Sequence, residues 1–199
     1  MPGGAEEKKW LEDQQAVGTD TGNMAWSILA LLAYYDINGG SHYLDAAIRM
    51  GDWIENKVRD ERGNGGYMAG YSGTEPNQVP LQYKSTEHNL DLYPAFKRLS
   101  AVTGDPRWNA SAEHAYNFVM SMWNNLEGRW HVGTTKDGGT INPHRALDCQ
   151  PWALLALKDL PRSYEVALQF AESFNRVPGA WGFDFDDDQD GIWYEGTAQ

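Results

Sequence analysis

Four short polar clusters in the sequence bring together carboxylates, imidazoles and side-chain amides, the groups that transfer protons and hydrogen-bond to hydroxyl-rich ligands. The fullest is "STEHNLD", residues 85–91, and the others are "GTDTGN", "HRALDCQPW" and "WYEGT". Their polar residues of interest are Asp20, Asn23, Glu87, His88, Asn89, Asp91, His144, Asp148, Gln150 and Glu195. Three clusters open an apolar helical stretch, and the fourth stands where another helix would begin. One cavity at the helix starts would therefore gather all four.

The carboxylates of these clusters suit the hydrolysis of a glycosidic bond. That reaction needs a protonated carboxyl group at the leaving oxygen and a second carboxylate, as a nucleophile or as the base for a water molecule. We expect Glu87 or Glu195 to be the acid and Asp148 to be the opposing base. Glu87 and Asp91 are four residues apart on one helix face, which should raise the pKa of one of them. A structural explanation remains open, because the helix dipole also favours carboxylates at helix N-termini.

The other polar residues of the clusters are expected to orient a bound sugar. These are Asp20, Asn23, His88, Asn89, Asp91, His144 and Gln150. Two opposed histidines, His88 and His144, also permit proton transfer at a carbon beside a carbonyl, as in a sugar 2-epimerase or isomerase. A third hypothesis is a non-catalytic helical-repeat domain that binds a glycan or another protein.

Aromatic residues are unusually frequent for a chain of 199 residues, with 9 Trp and 10 Tyr. Flat aromatic faces are suited to stacking on sugar rings. Tyr67, Trp130 and Trp193 fall in predicted loops between helices, and we expect them to contact a carbohydrate. Burial in the core is the alternative for each of them.

A possible calcium site lies in "DFDDDQDG", residues 184–191. Asp186, Asp188 and Asp190, followed by a glycine, match the first half of a D-x-D-x-D-G calcium loop. The twelfth position is Thr197 rather than the bidentate glutamate, so a solvated acidic loop is the slightly favoured explanation. We expect that Ca²⁺ can bind here, and that no other cofactor is required.

Hydrophobic periodicity predicts three pairs of helices that would position these clusters. In the first pair, "NMAWSILALLAYYDI" is separated from "HYLDAAIRMGDWIENKV" by Gly39 and Gly40. Gly- and aromatic-rich stretches after each pair predict short β-hairpins or loops. The interpretation is one all-α domain, residues 1–199, with repeats at 19–73, 84–140 and 144–195. The apolar first helix of each repeat would be enclosed by the second helices.

The helical pairs and their motifs resemble the (α/α) toroids of the six-hairpin glycosidase superfamily, in an uncharacterised bacterial branch. The motifs are "GTDTGNMAW", "STEHNLDLYPAF", "LDCQPW" and "IWYEGTAQ". The resemblance implies a carbohydrate-active protein. A complete toroid has six helical pairs, whereas three pairs and the start of a fourth are present here. The resemblance therefore implies that this chain forms about half of a ring, which further chain or a homo-oligomer would complete.

Charge and composition exclude several other partners. The formal net charge is −12 and no run of Lys or Arg occurs, which argues against nucleic acid and favours a neutral or cationic ligand. The apolar stretches are too short to cross a membrane. "MPGGAEEKK" has no apolar core of a signal peptide, although a mature N-terminus would look the same, so localisation stays open between cytoplasmic and secreted.

Overall fold

The computed structural model describes residues 17–74 and 76–198, so the stretch considered above for a signal peptide lies outside the described residues. The helices are α1 (Thr21–Asn38), α2 (Ser41–Lys57), α3 (Thr86–Thr103), α4 (Arg107–Ser121), α5 (Cys149–Ala156), α6 (Val166–Phe174) and α7 (Tyr194–Ala198). The strands are β1 (Gly18–Asp20), β2 (Gly70–Ser72), β3 (Val79–Leu81), β4 (Trp123–Asn124) and β5 (Arg129–Trp130). A short 3-10 helix, Arg162–Glu165, precedes α6.

The two longest helices, α1 and α3, begin and end at residues that suit these positions. The Asp20 carboxylate caps α1 by accepting hydrogen bonds from the backbone N–H groups of its first turn, and Ser85 caps α3 in the same way. Gly39 and Gly104 end these helices with φ of 70°, a conformation that costs glycine little. Local sequence therefore sets both ends of each helix.

The helices form three antiparallel pairs, α1 with α2, α3 with α4, and α5 with α6. The first helices of the pairs, α1, α3 and α5, are called the inner helices. They are also neighbours, since α3 lies between α1 and α5. Their shared interior is apolar, with Ile28, Phe96 and Trp108 in one part of the core and Phe118 and Ala153 in another. The prediction of repeated α-hairpins is confirmed.

Short β structure follows the helical pairs, as predicted. Strands β1, β2 and β3 form an antiparallel three-stranded sheet, in which Thr19 lies opposite Tyr71 and Tyr71 opposite Pro80. Strands β4 and β5 form a two-stranded hairpin. Within the described residues, no helix is long and apolar enough to cross a membrane.

In each repeat, a backbone N–H at or just before the start of the inner helix donates to a carbonyl in the loop that follows its own helical pair. The bonds run from Thr21 to Ala69 (2.9 Å), from Thr86 to Val132 (2.9 Å) and from Leu147 to Phe185 (2.8 Å). The hydroxyl groups of Thr21 and Thr86 add a second bond to the same loops. These repeated bonds anchor each helix start to its own loop, and the packing of α3 between α1 and α5 places the starts side by side.

Candidate active site

Thr21, Thr86 and Leu147, whose backbone N–H groups bond to the loops, are each followed by a residue at an equivalent position in the three repeats. That residue is Gly22 in the first repeat, Glu87 in the second and Asp148 in the third. Glu195 is the second residue of α7, as Glu87 is the second residue of α3. The repeated architecture therefore directs three carboxylates from successive helices towards one place.

A pocket of about 390 Å³ lies at these helix starts. It brings together the three predicted catalytic residues, Glu87, Asp148 and Glu195. His88 and Trp193, two of the predicted binding residues, also line it. The pocket is thus acidic on one side and carries an aromatic side chain beside its carboxylates.

The Glu87 carboxyl group is a strongly perturbed acid in the pocket. Burial, together with the negative charges of Asp91, Asp148, Asp20 and Glu195, raises the pKa of Glu87 to about 8. Its side chain is still 37% exposed, so it can meet a ligand in the pocket. At neutral pH it can therefore carry the proton that a general acid must donate.

Asp148 faces the same pocket but is almost buried, with 9% of its surface exposed. Burial raises its pKa, whereas hydrogen bonding from Cys149 and the nearby His88 and His144 imidazoles favour the ionised form. The backbone N–H of Cys149 donates to Asp148 Oδ1 at 2.7 Å. Glu195, by contrast, is solvent-exposed on its short helix.

His88 lies between two carboxylates at the edge of the pocket. Its Nε2 is 3.2 Å from Asp20 Oδ1 and 3.6 Å from Glu87 Oε2. Burial lowers the pKa of His88, which favours the neutral imidazole at neutral pH. Gly22 provides the room for this ring, because a Cβ there would lie 2.8 Å from His88 Cδ2. Asp20, predicted to contact substrate, thus caps α1 and faces His88.

Asp91 does not line this pocket, contrary to the prediction that it orients substrate. Only 2% of its surface is exposed, and its Oδ1 accepts a hydrogen bond from Trp152 Nε1 at 2.8 Å. Burial raises the pKa of Asp91 to about 7, against the opposing effect of the hydrogen bond from Trp152 and of the nearby Trp26 indole. Asp91 is a buried acid behind Glu87.

The prediction that Asn89 and Gln150 bind substrate is also wrong, because both are fully buried and hydrogen-bonded. Asn89 accepts from the Tyr67 backbone N–H (2.9 Å) and donates to the Tyr67 carbonyl (3.1 Å). Gln150 makes the same pair of bonds with the Trp130 backbone, at 2.9 and 3.0 Å. Each amide joins an inner helix to the loop of the preceding repeat, so we call them the amide clamps.

Two of the three predicted stacking residues are in the core rather than at the pocket. Tyr67 and Trp130 have no exposed surface, so neither can lie against a sugar. Trp193 does line the pocket, and its ring meets Phe185 edge-on with centroids 5.3 Å apart. Phe185 and the 39% exposed Tyr83 are pocket residues that the sequence analysis missed. Their only signal was proximity to the polar clusters.

The remaining predicted binding residues, Asn23 and His144, lie outside the lining of the pocket. Asn23 is exposed on α1. His144 packs beside Phe185, and its Nε2 is 3.4 Å from Asp186 Oδ2. His144 is still close enough to Asp148 for its imidazole, like that of His88, to favour the ionised carboxylate, so the role of the two histidines in proton transfer stays a prediction.

The aspartate loop groups a slightly different set of residues from the one predicted. Carboxylate oxygens of Asp184, Asp186 and Asp188, the acidic cluster, all lie within 4.8 Å of one another. Asp190 is not part of this group, and its backbone N–H donates to Asp188 Oδ1 at 3.1 Å. Asp184 is nearly buried and also accepts from the backbone of Gly191. Oxygen ligands of this kind suit Ca²⁺, and calcium binding stays a prediction.

No protein-family model matches the sequence, and no curated protein matches it. Solved structures do share its fold. A GH76 α-mannanase from Bacteroides thetaiotaomicron is 14% identical with a TM-score of 0.63, over 90% of this chain and 47% of that one. A cellobiose 2-epimerase from Bacillus thermoamylovorans is 14% identical with a TM-score of 0.62, over 84% of this chain and 50% of that one. A D-mannose isomerase is 15% identical with a TM-score of 0.58, over 80% and 41%.

The chain has the (α/α) toroid fold and spans about half the length of these structures. Identities this low establish the shared architecture and leave the reaction to be decided by the residues of the pocket. The predicted resemblance to (α/α) toroids is confirmed at the level of fold.

Proposed function

We propose that this protein is a carbohydrate-active enzyme that hydrolyses a glycosidic bond of an oligo- or polysaccharide. The observation that carries the proposal is the meeting of Glu87, Asp148 and Glu195 in one pocket, where Glu87 is held protonated by burial and by neighbouring anions. The solved structures with this fold support the choice of carbohydrate, since they include a mannanase and two sugar-converting enzymes.

In this mechanism, Glu87 donates its proton to the glycosidic oxygen as the bond from that oxygen to the anomeric carbon breaks. Asp148 accepts a proton from the water molecule whose oxygen attacks the anomeric carbon. After the products leave, Asp148 releases its accepted proton to solvent and Glu87 regains a proton from solvent, since the Glu87 side chain is 37% exposed. His88, neutral between Asp20 and Glu87, accepts or donates a hydrogen bond to a substrate hydroxyl.

The pocket favours a neutral or cationic sugar over an anionic one. Lys84 is the basic residue that lines it with His88, but its ammonium is fully buried and donates to the carbonyls of Arg62 (2.6 Å) and Gly65 (2.7 Å). A uronate or a sugar phosphate would therefore meet carboxylates without a free cation to neutralise it. Trp193 offers the apolar face on which a sugar ring stacks.

The test is the release of reducing ends from neutral, amino-sugar and uronate-containing oligosaccharides, with α-mannan and cello-oligosaccharides in the panel. Glu87→Gln should lower the rate by about 100- to 10,000-fold, the usual contribution of a general acid. Glu113→Gln, an exposed substitution on α4, is the matched control and should leave the rate unchanged. Absence of hydrolysis with every sugar, or a Glu87→Gln variant as active as the control, would refute the proposal.

A sugar 2-epimerase or isomerase is the second candidate, supported by the cellobiose 2-epimerase and the D-mannose isomerase that share the fold. His88 is a buried, neutral imidazole at the pocket and could accept a proton from C2 of an open-chain sugar. Exchange of the C2 hydrogen with deuterium from solvent, lost in His88→Ala, would favour this reaction. Glycan binding without either activity would instead identify a binding module.

Closure of the pocket by further helices forms part of the proposal. Trp26, Tyr34 and Ile37 leave an exposed apolar flank along α1, and the chain spans about half of each similar structure. A homo-oligomer or additional toroid helices would cover such a flank. Sedimentation of the 22.3 kDa chain distinguishes the two, because a mass of twice that value identifies a dimer and a monomeric mass excludes it.

A further inference from the structure

The Asp91 carboxyl group lies where the three inner helices meet. It follows Glu87 by one turn of α3, and Trp152 of α5 donates to its Oδ1 at 2.8 Å. From α1, Gly22 approaches so closely that a Cβ there would lie 3.2 Å from Asp91 Oδ2. Among the described residues, Oδ2 has no hydrogen-bond partner, and it is inaccessible to solvent. This arrangement costs stability, because a buried polar oxygen normally requires a partner.

Packing alone does not explain why a carboxyl group with an unpaired buried oxygen occupies this position. A leucine or methionine would fill an apolar site between three helices without leaving an unpaired oxygen. Trp152 does not neutralise a carboxylate, since an indole N–H donates a hydrogen bond but carries no charge. Asp91 instead stands one helical turn from Glu87, at the distance over which side chains on a helix interact.

We propose that Asp91 is a positioning residue for proton transfer, a buried carboxyl group that keeps the neighbouring Glu87 protonated and ready to act as an acid. The proposal rests on the role given to Glu87 in the proposed function. It differs from a substrate-binding role, because Asp91 is shielded from the main pocket and its effect passes through Glu87.

The physical basis is repulsion between two carboxylates in a poorly solvated place. Ionising one makes ionisation of the other less favourable, so the pair titrates as a unit and retains a proton to higher pH than either acid alone. The other charged or titratable groups around the pair are Asp20 before α1, His88 on α3, Asp148 just before α5, Lys158 just after α5, and Glu195 on α7. Anions outnumber cations in this set, so removal of Asp91 should weaken the effect on Glu87 without abolishing it.

Asp91 is better placed for this role than the other anions. Asp148 and Glu195 line the pocket, so a bound ligand changes their solvation. Asp91 is 2% exposed and fixed by Trp152, so its influence on Glu87 is the same before and after a sugar binds. An acid that is prepared before the substrate arrives needs no rearrangement at the moment of reaction.

The experiment is a pH titration of the glutamate side-chain carboxyl carbons by NMR in the ligand-free protein. Asp91→Asn keeps the shape and an acceptor for Trp152, and we expect it to lower the pKa of Glu87 by about one pH unit. Trp152→Phe removes the donor that favours ionised Asp91, so it should shift Glu87 in the same direction. Asp45→Asn, exposed on α2, is the matched control and should leave Glu87 unchanged.

An unchanged Glu87 titration in folded Asp91→Asn would overturn the proposal, as would a shift of equal size in the control. Because the titration needs no substrate, its result is independent of the reaction. Loss of hydrolysis in Glu87→Gln with no shift in Asp91→Asn would refute the role of Asp91 alone. A shift without hydrolysis of any glycan would refute the proposed function and leave the control of Glu87 by Asp91 standing.

Discussion

The amide clamp at Gln150 allows a sharp test, because it separates a structural role from the substrate contact first expected of this residue. Gln150 is fully buried. Its Oε1 accepts from the Trp130 backbone N–H at 2.9 Å, and its Nε2 donates to the carbonyls of Trp130 (3.0 Å) and Ala146 (3.1 Å). Gln150→Met keeps the length of the side chain and removes all of these bonds.

The expected loss follows from the groups left unpaired. A buried donor or acceptor without a partner costs about 1–3 kcal/mol; Gln150→Met leaves the N–H of Trp130 in that state and leaves the Trp130 carbonyl with only the longer bond of 3.5 Å from Arg129 Nη1. The better helix propensity and apolar character of Met offset only part of this. We therefore expect the free energy of unfolding to fall by roughly 4 kcal/mol, a large share of the 5–15 kcal/mol typical of a domain.

Urea unfolding followed by tryptophan fluorescence measures this loss. Gln169→Met, an exposed substitution on α6, is the control and should change the free energy of unfolding by less than about 0.5 kcal/mol. If Gln150→Met were as stable as this control but failed to bind sugar, the clamp interpretation would be refuted. The original expectation of a substrate contact would then be the better one.

Four further predictions address the pocket and the acidic cluster. Activity should fall as pH rises through about 8, because burial and nearby anions raise the pKa of Glu87 to about 8 and its proton is lost above that pH; a rate that stays constant to pH 10 would contradict this. The pKa of Asp91 is raised from 3.8 to about 7, so the folded state binds this proton more tightly than the unfolded state does. The stability that this protonation gives to the folded state is fully present below pH 3.8 and is lost as pH rises through about 7. Asp91→Asn should therefore match wild type near pH 4 and be more stable by up to about 4 kcal/mol above pH 8, whereas parallel urea curves at the two pH values would refute it. Trp193→Ala should weaken glycan binding, measured by calorimetry, about tenfold. The control Trp181→Ala, at a side chain that is 96% exposed elsewhere on the protein, should not weaken it, and equal losses in the two variants would exclude stacking on Trp193. Calcium at millimolar concentration should raise the melting temperature, and Asp184→Asn should remove that rise; an identical melting temperature with calcium and with a chelator would exclude the site.

Much of the fold follows from local sequence signals. The apolar periodicity, the caps at Asp20 and Ser85 and the terminating glycines mark the helical pairs, and each signal acts within a few residues of its helix. The repeat then predicts that equivalent helix starts lie side by side. For this reason the convergence of Glu87 and Asp148 on one pocket could be anticipated without a structure.

The direction of each polar side chain could not be read from the clusters. Glu87 and Asn89 are two residues apart, which separates them by about 200° around a helix, so one faces the pocket and the other the core. Their residue types are equally suited to binding a sugar. Tyr67 and Trp130 were misassigned for a related reason, since loops that fold back against helices bury their aromatic side chains.

The anchoring of each helix start to the loop of its own pair has a consequence for how such a pocket changes over evolution. A backbone bond within each repeat anchors the helix start, whereas in the second and third repeats an amide clamp ties the inner helix to the loop of the preceding repeat. Consecutive repeats are therefore coupled, and a substitution in the loop of one repeat would also reach the acid at the next corner of the pocket. Gly22 occupies one such corner, where the same backbone framework carries no acid and instead admits the His88 ring.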